Sequence, residues 1–100
     1  MRQYELYLVI DAEVEEEDVN AIVERMTQLI SAGDGETSGE VTKVEARGRR
    51  RLAYAIRKKS EGQDILLYFQ SSPQALTEME RVLKLDERVL RYLIVRTDEE

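Results

Sequence analysis

The order in which two hydrophobic periodicities alternate constrains this chain more than any other feature. Residues 2–11 read as a strand, with Tyr4, Leu6, Leu8 and Ile10 on one face and Glu5, Tyr7 and Val9 on the other. Residues 15–32 switch to a helical period, carried by Val19, Ile22, Val23, Met26, Leu29 and Ile30. Glu15, Glu16, Glu17 and Asp18 crowd its start, where carboxylates oppose the positive end of the helix dipole, and Gly33 suits a left-handed stop. Residues 33–40 read as a loop whose glycines fit neither a Walker motif nor a dinucleotide fingerprint. Strand pattern then runs over 40–58, with Val41, Lys43 and Glu45 alternating against Thr42, Val44 and Ala46. Gly48 breaks it, as a bulge or sharp bend would. Ser60-Glu61-Gly62 reads as the turn, and 63–71 as the returning strand, apolar on both sides. Ser72 and Pro73 mark the cap and first position of a second helix, whose inner face is Leu76, Met79, Val82 and Leu83. Residues 87–97 form a last strand.

The order β-α-β-β-α-β has one compact solution with right-handed crossovers. It is an α+β, ferredoxin-like sandwich: a four-stranded antiparallel sheet of order 4-1-3-2 with both helices on one face. The first and third strands are central, in keeping with their two apolar faces. The second lies at an edge, beside a sheet face that no helix covers. One hundred residues suit one such core, so residues 1–97 read as a single domain and 98–100 as an acidic tail.

Charge is segregated along this scaffold. Between Lys43 and Lys59 stand eight basic residues against the single acid Glu45, whereas the rest holds seven bases and twenty acids, for a net charge of −6. A basic island on an exposed edge strand points to an anionic partner. Edge protection would need only one or two charges. Arginine predominates, and its planar fork grips phosphate in a bidentate way. The absence of Cys and His excludes thiolate and imidazole metal sites and the Ser-His-Asp and Cys-His nucleophiles. No apolar run approaches the roughly 18 residues of a membrane span, no secretory signal opens the chain, and the expected location is cytoplasmic. No cofactor is expected.

Two modes of nucleic-acid contact are open. The RNA-recognition motif shares the β-α-β-β-α-β order, but Ile65-Leu66-Leu67-Tyr68-Phe69 lacks that motif's glycines and aromatic spacing. The second mode is arginine contact to phosphate and RNA shape, with a protein neighbour sharing the surface. An acidic body favours this second mode, because most of the surface repels phosphate.

Several motifs in order resemble one family. Met1-Arg2-Gln3-Tyr4-Glu5, Gly48-Arg49-Arg50-Arg51-Leu52-Ala53-Tyr54-Ala55-Ile56, Gly62 and Leu85-Asp86-Glu87-Arg88-Val89-Leu90-Arg91-Tyr92 are similar to the bacterial small-subunit ribosomal protein six family. The resemblance spans nearly the whole chain; Ala55 departs from it, where the family commonly has Pro. It implies a structural, non-enzymatic constituent of the small ribosomal subunit. Such a protein binds the central domain of the small-subunit rRNA as a heterodimer with ribosomal protein eighteen. Carried over by position, Arg2, Arg49, Arg50, Arg51, Arg88 and Arg91 are the expected RNA contacts, and Leu52, Ala53, Tyr54 and Ile56 the expected partner-protein edge. Arg2, Arg88 and Arg91 are expected near one another on the sheet rim.

Two rivals stand beside this reading. An acylphosphatase-like hydrolase needs a phosphate loop after the first strand, and Asp11-Ala12-Glu13-Val14-Glu15-Glu16 would repel phosphate there. The alternative is a ferredoxin-like homo-oligomeric module that binds a ligand outside the ribosome and associates through its open sheet face.

Overall fold

A computed structural model describes residues 1–35 and 38–98. Its elements are β1 (Arg2–Asp11), α1 (Glu16–Ile30), β2 (Glu40–Ile56), β3 (Lys59–Ser71), α2 (Pro73–Leu85) and β4 (Val89–Arg96). The strands form one antiparallel sheet of order β2-β3-β1-β4, which is the expected order read from the other edge. The loop expected over 33–40 includes Glu36 and Thr37, and the expected tail includes Glu99 and Glu100; these four lie outside the described residues.

One sheet face is sealed by the helices. Tyr4, Leu6, Leu8 and Ile10 of β1 and Ile65, Leu67 and Phe69 of β3 pack with Val19, Ile22, Met26, Ile30, Met79 and Leu83, all buried. Tyr4 and Phe69 stack with ring centroids 5.5 Å apart. Each contributing strand alternates, so the intervening residues are delivered to the opposite, open face. Gln63 ties the β1–α1 connection to the sheet, donating from Nε2 to the carbonyls of Asp11, Ala12 and Val14.

Several local expectations are corrected. Ser60, Glu61 and Gly62 lie within β3, and the hairpin turns at Arg57-Lys58, both with positive φ (47° and 68°). That two-residue geometry normally selects Asn-Gly, so glycine-based reading placed the turn too late. The tip is held by tertiary contacts: Arg57 Nη2 donates to the carbonyls of Glu87 and Val89, and Lys59 Nζ lies 3.2 Å from carboxylate oxygens of both Asp11 and Glu13. Gly33 does not adopt a positive φ; α1 stops at Ser31, whose N–H bonds the Thr27 carbonyl. Ser72 occupies the cap position without a side-chain bond, and its carbonyl accepts from the Ala75 N–H at 3.3 Å.

β2 is irregular in a way that decides which side chains share a face. Its register against β3 shifts between Val41 and Lys43, between Ala46 and Gly48, and between Arg51 and Ile56. The first shift separates Val41, which joins the helix-side core, from Lys43 and Glu45 on the open face. Simple alternation had grouped these three. The second shift sits at Gly48, whose φ of +85° is open to glycine at little cost. In the third, residues 52–55 of β2 face Ser60 alone, and this end of the strand folds over the open face. Leu52 there buries itself on Val9 and Leu90, with Ile56 alongside. Gly62 makes room for that contact: a Cβ there would stand 2.5 Å from Val9 Cγ1.

Candidate nucleic-acid interface

The uncovered half of the open face forms a groove lined by Tyr7, Val9, Arg47, Arg50, Asp64, Leu66, Arg91 and Leu93. Leu66 is its buried floor, while Tyr7, Leu93 and Val95 are exposed large side chains on β1 and β4. Arg47 and Arg50 are three positions apart, an odd spacing that regular strand alternation would send to opposite faces. The bulge at Gly48 absorbs one residue and brings both onto the groove. A second bulge does the same for β4. Its register against β1 shifts between Val9 and Ile10, so that Leu90 joins the Val9 cluster while Arg91, opposite Val9, lines the groove.

Each groove arginine has an internal partner. Arg47 Nε is 3.3 Å from Glu45 Oε2, and Glu45 also meets Lys43 Nζ at 3.0 Å. Lys43, first, and then Arg47 hold the Glu45 carboxyl below its ordinary pKa. Arg50 Nε lies 3.4 Å from Asp64 Oδ1, an ion-pair distance without hydrogen-bond alignment, and that buried oxygen has no hydrogen-bond partner among the described residues. Arg91 donates from Nη2 to the Tyr54 hydroxyl, and its guanidinium carbon lies 5.2 Å from the Tyr54 ring centroid. Tyr7 donates to Glu5 Oε1 at 2.7 Å, and that carboxylate raises the phenol pKa.

The expected site residues divide into separate groups. Arg50 and Arg91 line the same groove, from β2 and β4 respectively. Arg49 and Arg51 alternate with Arg50 and belong to the opposite side of β2, where Arg49 reaches Glu61 at 3.2 Å. Arg88 immediately precedes β4 at the last residue of β1, its carbonyl accepting from the Asp11 N–H, and clamps Asp86 at 2.7 Å. Arg2 does not join Arg88 and Arg91. It begins β1 opposite Ser71, whereas Arg91 pairs with Val9, about 23 Å further along the strand. In an antiparallel pair, residues early in both strands sit at opposite ends, and this corrects the expected rim cluster. Along the expected partner edge, Leu52 is turned inward and Ile56 is half-buried, while Ala53 and Tyr54 are exposed. Arg47, Asp64 and Leu93 were not singled out from the sequence. The only signal for Arg47 was its place in the basic island, and strand parity counted without the bulge would have sent it away from Arg50.

Comparisons with known proteins agree along the whole chain. The signature of the family described as ribosomal protein S6 matches residues 3–96. Small ribosomal subunit protein bS6 of Moorella thermoacetica is 44% identical over 100 residues, spanning 100% of this chain and 98% of that protein. The protein of the same name from Caldanaerobacter subterraneus subsp. tengcongensis is 44% identical over 99 residues, covering 99% and 100%. Among solved structures, 30S ribosomal protein S6 from Thermotoga maritima superposes with a TM-score of 0.82 at 33% identity, covering 96% of this chain and 87% of that one. A de novo designed protein, Foldit4, shares the fold alone, with a TM-score of 0.55 at 16% identity. Full-length identity, the matched signature and the shared fold together make this chain a member of the ribosomal protein S6 family of the small ribosomal subunit.

Proposed function

We propose that residues 1–97 act as one structural, non-enzymatic unit that binds the central domain of the small-subunit rRNA jointly with ribosomal protein eighteen, in the cytoplasm. The observation that carries this reading is the open sheet face. Exposed Tyr7, Leu93 and Val95 supply apolar area, and Arg47, Arg50 and Arg91 stand beside it in a chain of net charge −6. Exposed apolar patches mark contact surfaces, and an acidic body weakens any contact with RNA alone. The apolar part therefore meets the protein neighbour and the arginine rim meets phosphate, with Arg2, Arg49, Arg51 and Arg88 adding contacts from separate parts of the surface. Ala53 and Tyr54, exposed at the folded-over end of β2, extend the protein contact, which Leu52 and Ile56 support from within. Titration of a central-domain rRNA fragment with Arg50→Glu and Arg91→Glu, with and without the partner, tests this. Weaker binding of both variants in the presence of the partner is expected; unchanged affinity in both settings overturns it. A stable homodimer burying the same face in sedimentation would favour a homo-oligomeric module instead.

A further inference from the structure

The folded-over end of β2 raises the question of what its exposed aromatic does. Tyr54 is 62% exposed, too open to be a core residue. Yet the backbone beneath it is fixed on three sides. Leu52 is buried on Val9 and Leu90, Ile56 packs beside them, and Arg57 is bonded to the carbonyls of Glu87 and Val89. A residue between such anchors is held in place without any contact of its own side chain. Among the described residues, the hydrogen bond and the cation–ring contact of that side chain are both to Arg91: the hydroxyl accepts from Nη2, and the ring lies under the guanidinium.

We propose that Tyr54 is a positioning residue for Arg91. It fixes the guanidinium at the rim of the open-face groove and so lowers the ordering cost when Arg91 meets phosphate. A free arginine side chain gives up most of its rotamer freedom on binding, and an aromatic platform removes part of that loss beforehand. The ring face and the hydroxyl occupy one side and one donor of the fork, leaving its other N–H groups to an incoming anion. The inference rests on the reading of Arg91 as an RNA contact.

A double-mutant cycle on the full chain, with its protein partner and a central-domain rRNA fragment, tests it. Tyr54→Ala is expected to weaken RNA binding by about threefold, the scale of an exposed cation–π contact, and Tyr54→Phe, which keeps the ring, to restore part of the loss. In an Arg91→Ala background, Tyr54→Ala should cost clearly less than in the parent, only its share of the partner contact remaining. Fully additive losses would overturn the proposal, because the contact of Tyr54 with the partner would then account for its whole effect without Arg91. Arg91→Ala leaving affinity unchanged would overturn both this proposal and the RNA role of Arg91. A loss with Arg91→Ala but none with Tyr54→Ala would overturn the positioning alone. A second readout needs no RNA: the Arg91 side-chain protons should carry an upfield ring-current shift that Tyr54→Leu abolishes. Its absence in the parent protein would overturn the proposal.

Discussion

The two faces of the sheet are made by the same strands, one residue out of phase. The helix-side face holds Leu6, Leu8, Ile65, Leu67 and Phe69, against which both helices close. The open face holds Val9 and Leu66 as a thin apolar floor, with Tyr7, Leu93 and Val95 exposed and arginines at the rim. Burial on the first face supplies the folding free energy. The second keeps apolar and cationic groups together, uncovered by either helix. On the proposed reading, stability and recognition fall to alternate residues, and substitutions should separate them.

The largest effect is expected on the covered face. Phe69→Ala removes a ring that is 2% exposed and stacked on Tyr4, and should cost about 3–5 kcal/mol in denaturant unfolding. If it cost no more than a surface change, the division between faces would be broken. Charge reversal on the other face should invert the pattern. Arg50→Glu with Arg91→Glu should reduce rRNA affinity at least about tenfold, with little change in the unfolding midpoint. The salt dependence of binding should flatten by about 0.7–0.9 for each phosphate that is no longer neutralised. A fall in stability with an unchanged salt slope would assign these arginines to the fold instead.

Smaller effects sharpen the link between the faces. Gly48→Ala should cost about 1 kcal/mol, because φ is +85° there although space is free for a Cβ. It should also weaken RNA binding by more than its stability loss explains, since the bulge brings Arg47 beside Arg50. Leu93→Ser should change stability by no more than about 0.5 kcal/mol while reducing association with the partner protein, read by calorimetry. The smallest expected effect is a pH dependence shared by neither face. The Asp86 carboxyl is held below its ordinary pKa chiefly by the Arg88 side chain, and that of Asp11 by the Glu13 N–H and then Lys59. Both bind protons more weakly folded than unfolded. Their contribution is therefore complete above about pH 4 and is lost as pH falls through the depressed folded values. Unfolding curves should show this loss on acidification, and Asp86→Asn should shrink it.

Much of the candidate site was legible only in outline. The basic island was visible because charge is written directly in composition, and its place on an edge strand followed from topology. The grouping of its members was not. Arg49, Arg50 and Arg51 are adjacent in sequence, yet alternation puts Arg50 on the groove and its neighbours on the other side. Arg47 and Arg50 come together only because Gly48 bulges, and a bulge marked by one glycine does not reveal which residue it absorbs. Arg2 and Arg91 shared neighbouring strands on paper, but the register places them at opposite ends. The turn at Arg57-Lys58 carried no local signal, being held from outside by β4 and the β1–α1 loop.

By itself, the sequence determined the alternation of strand and helix, the two central strands, the order of the sheet and the placing of both helices on one face. These follow from period and handedness, which are local properties combined by one chirality rule. Only the tertiary structure decided the register shifts in β2 and β4, the folding of residues 52–56 over the open face, and the meeting of Tyr54 with Arg91. The reason is physical. A register shift of one residue exchanges every side chain between faces, and its energy is set by contacts between residues distant in the chain: Leu52 with Val9, Arg57 with Val89, and Gly62 making room for both Val9 and Leu52.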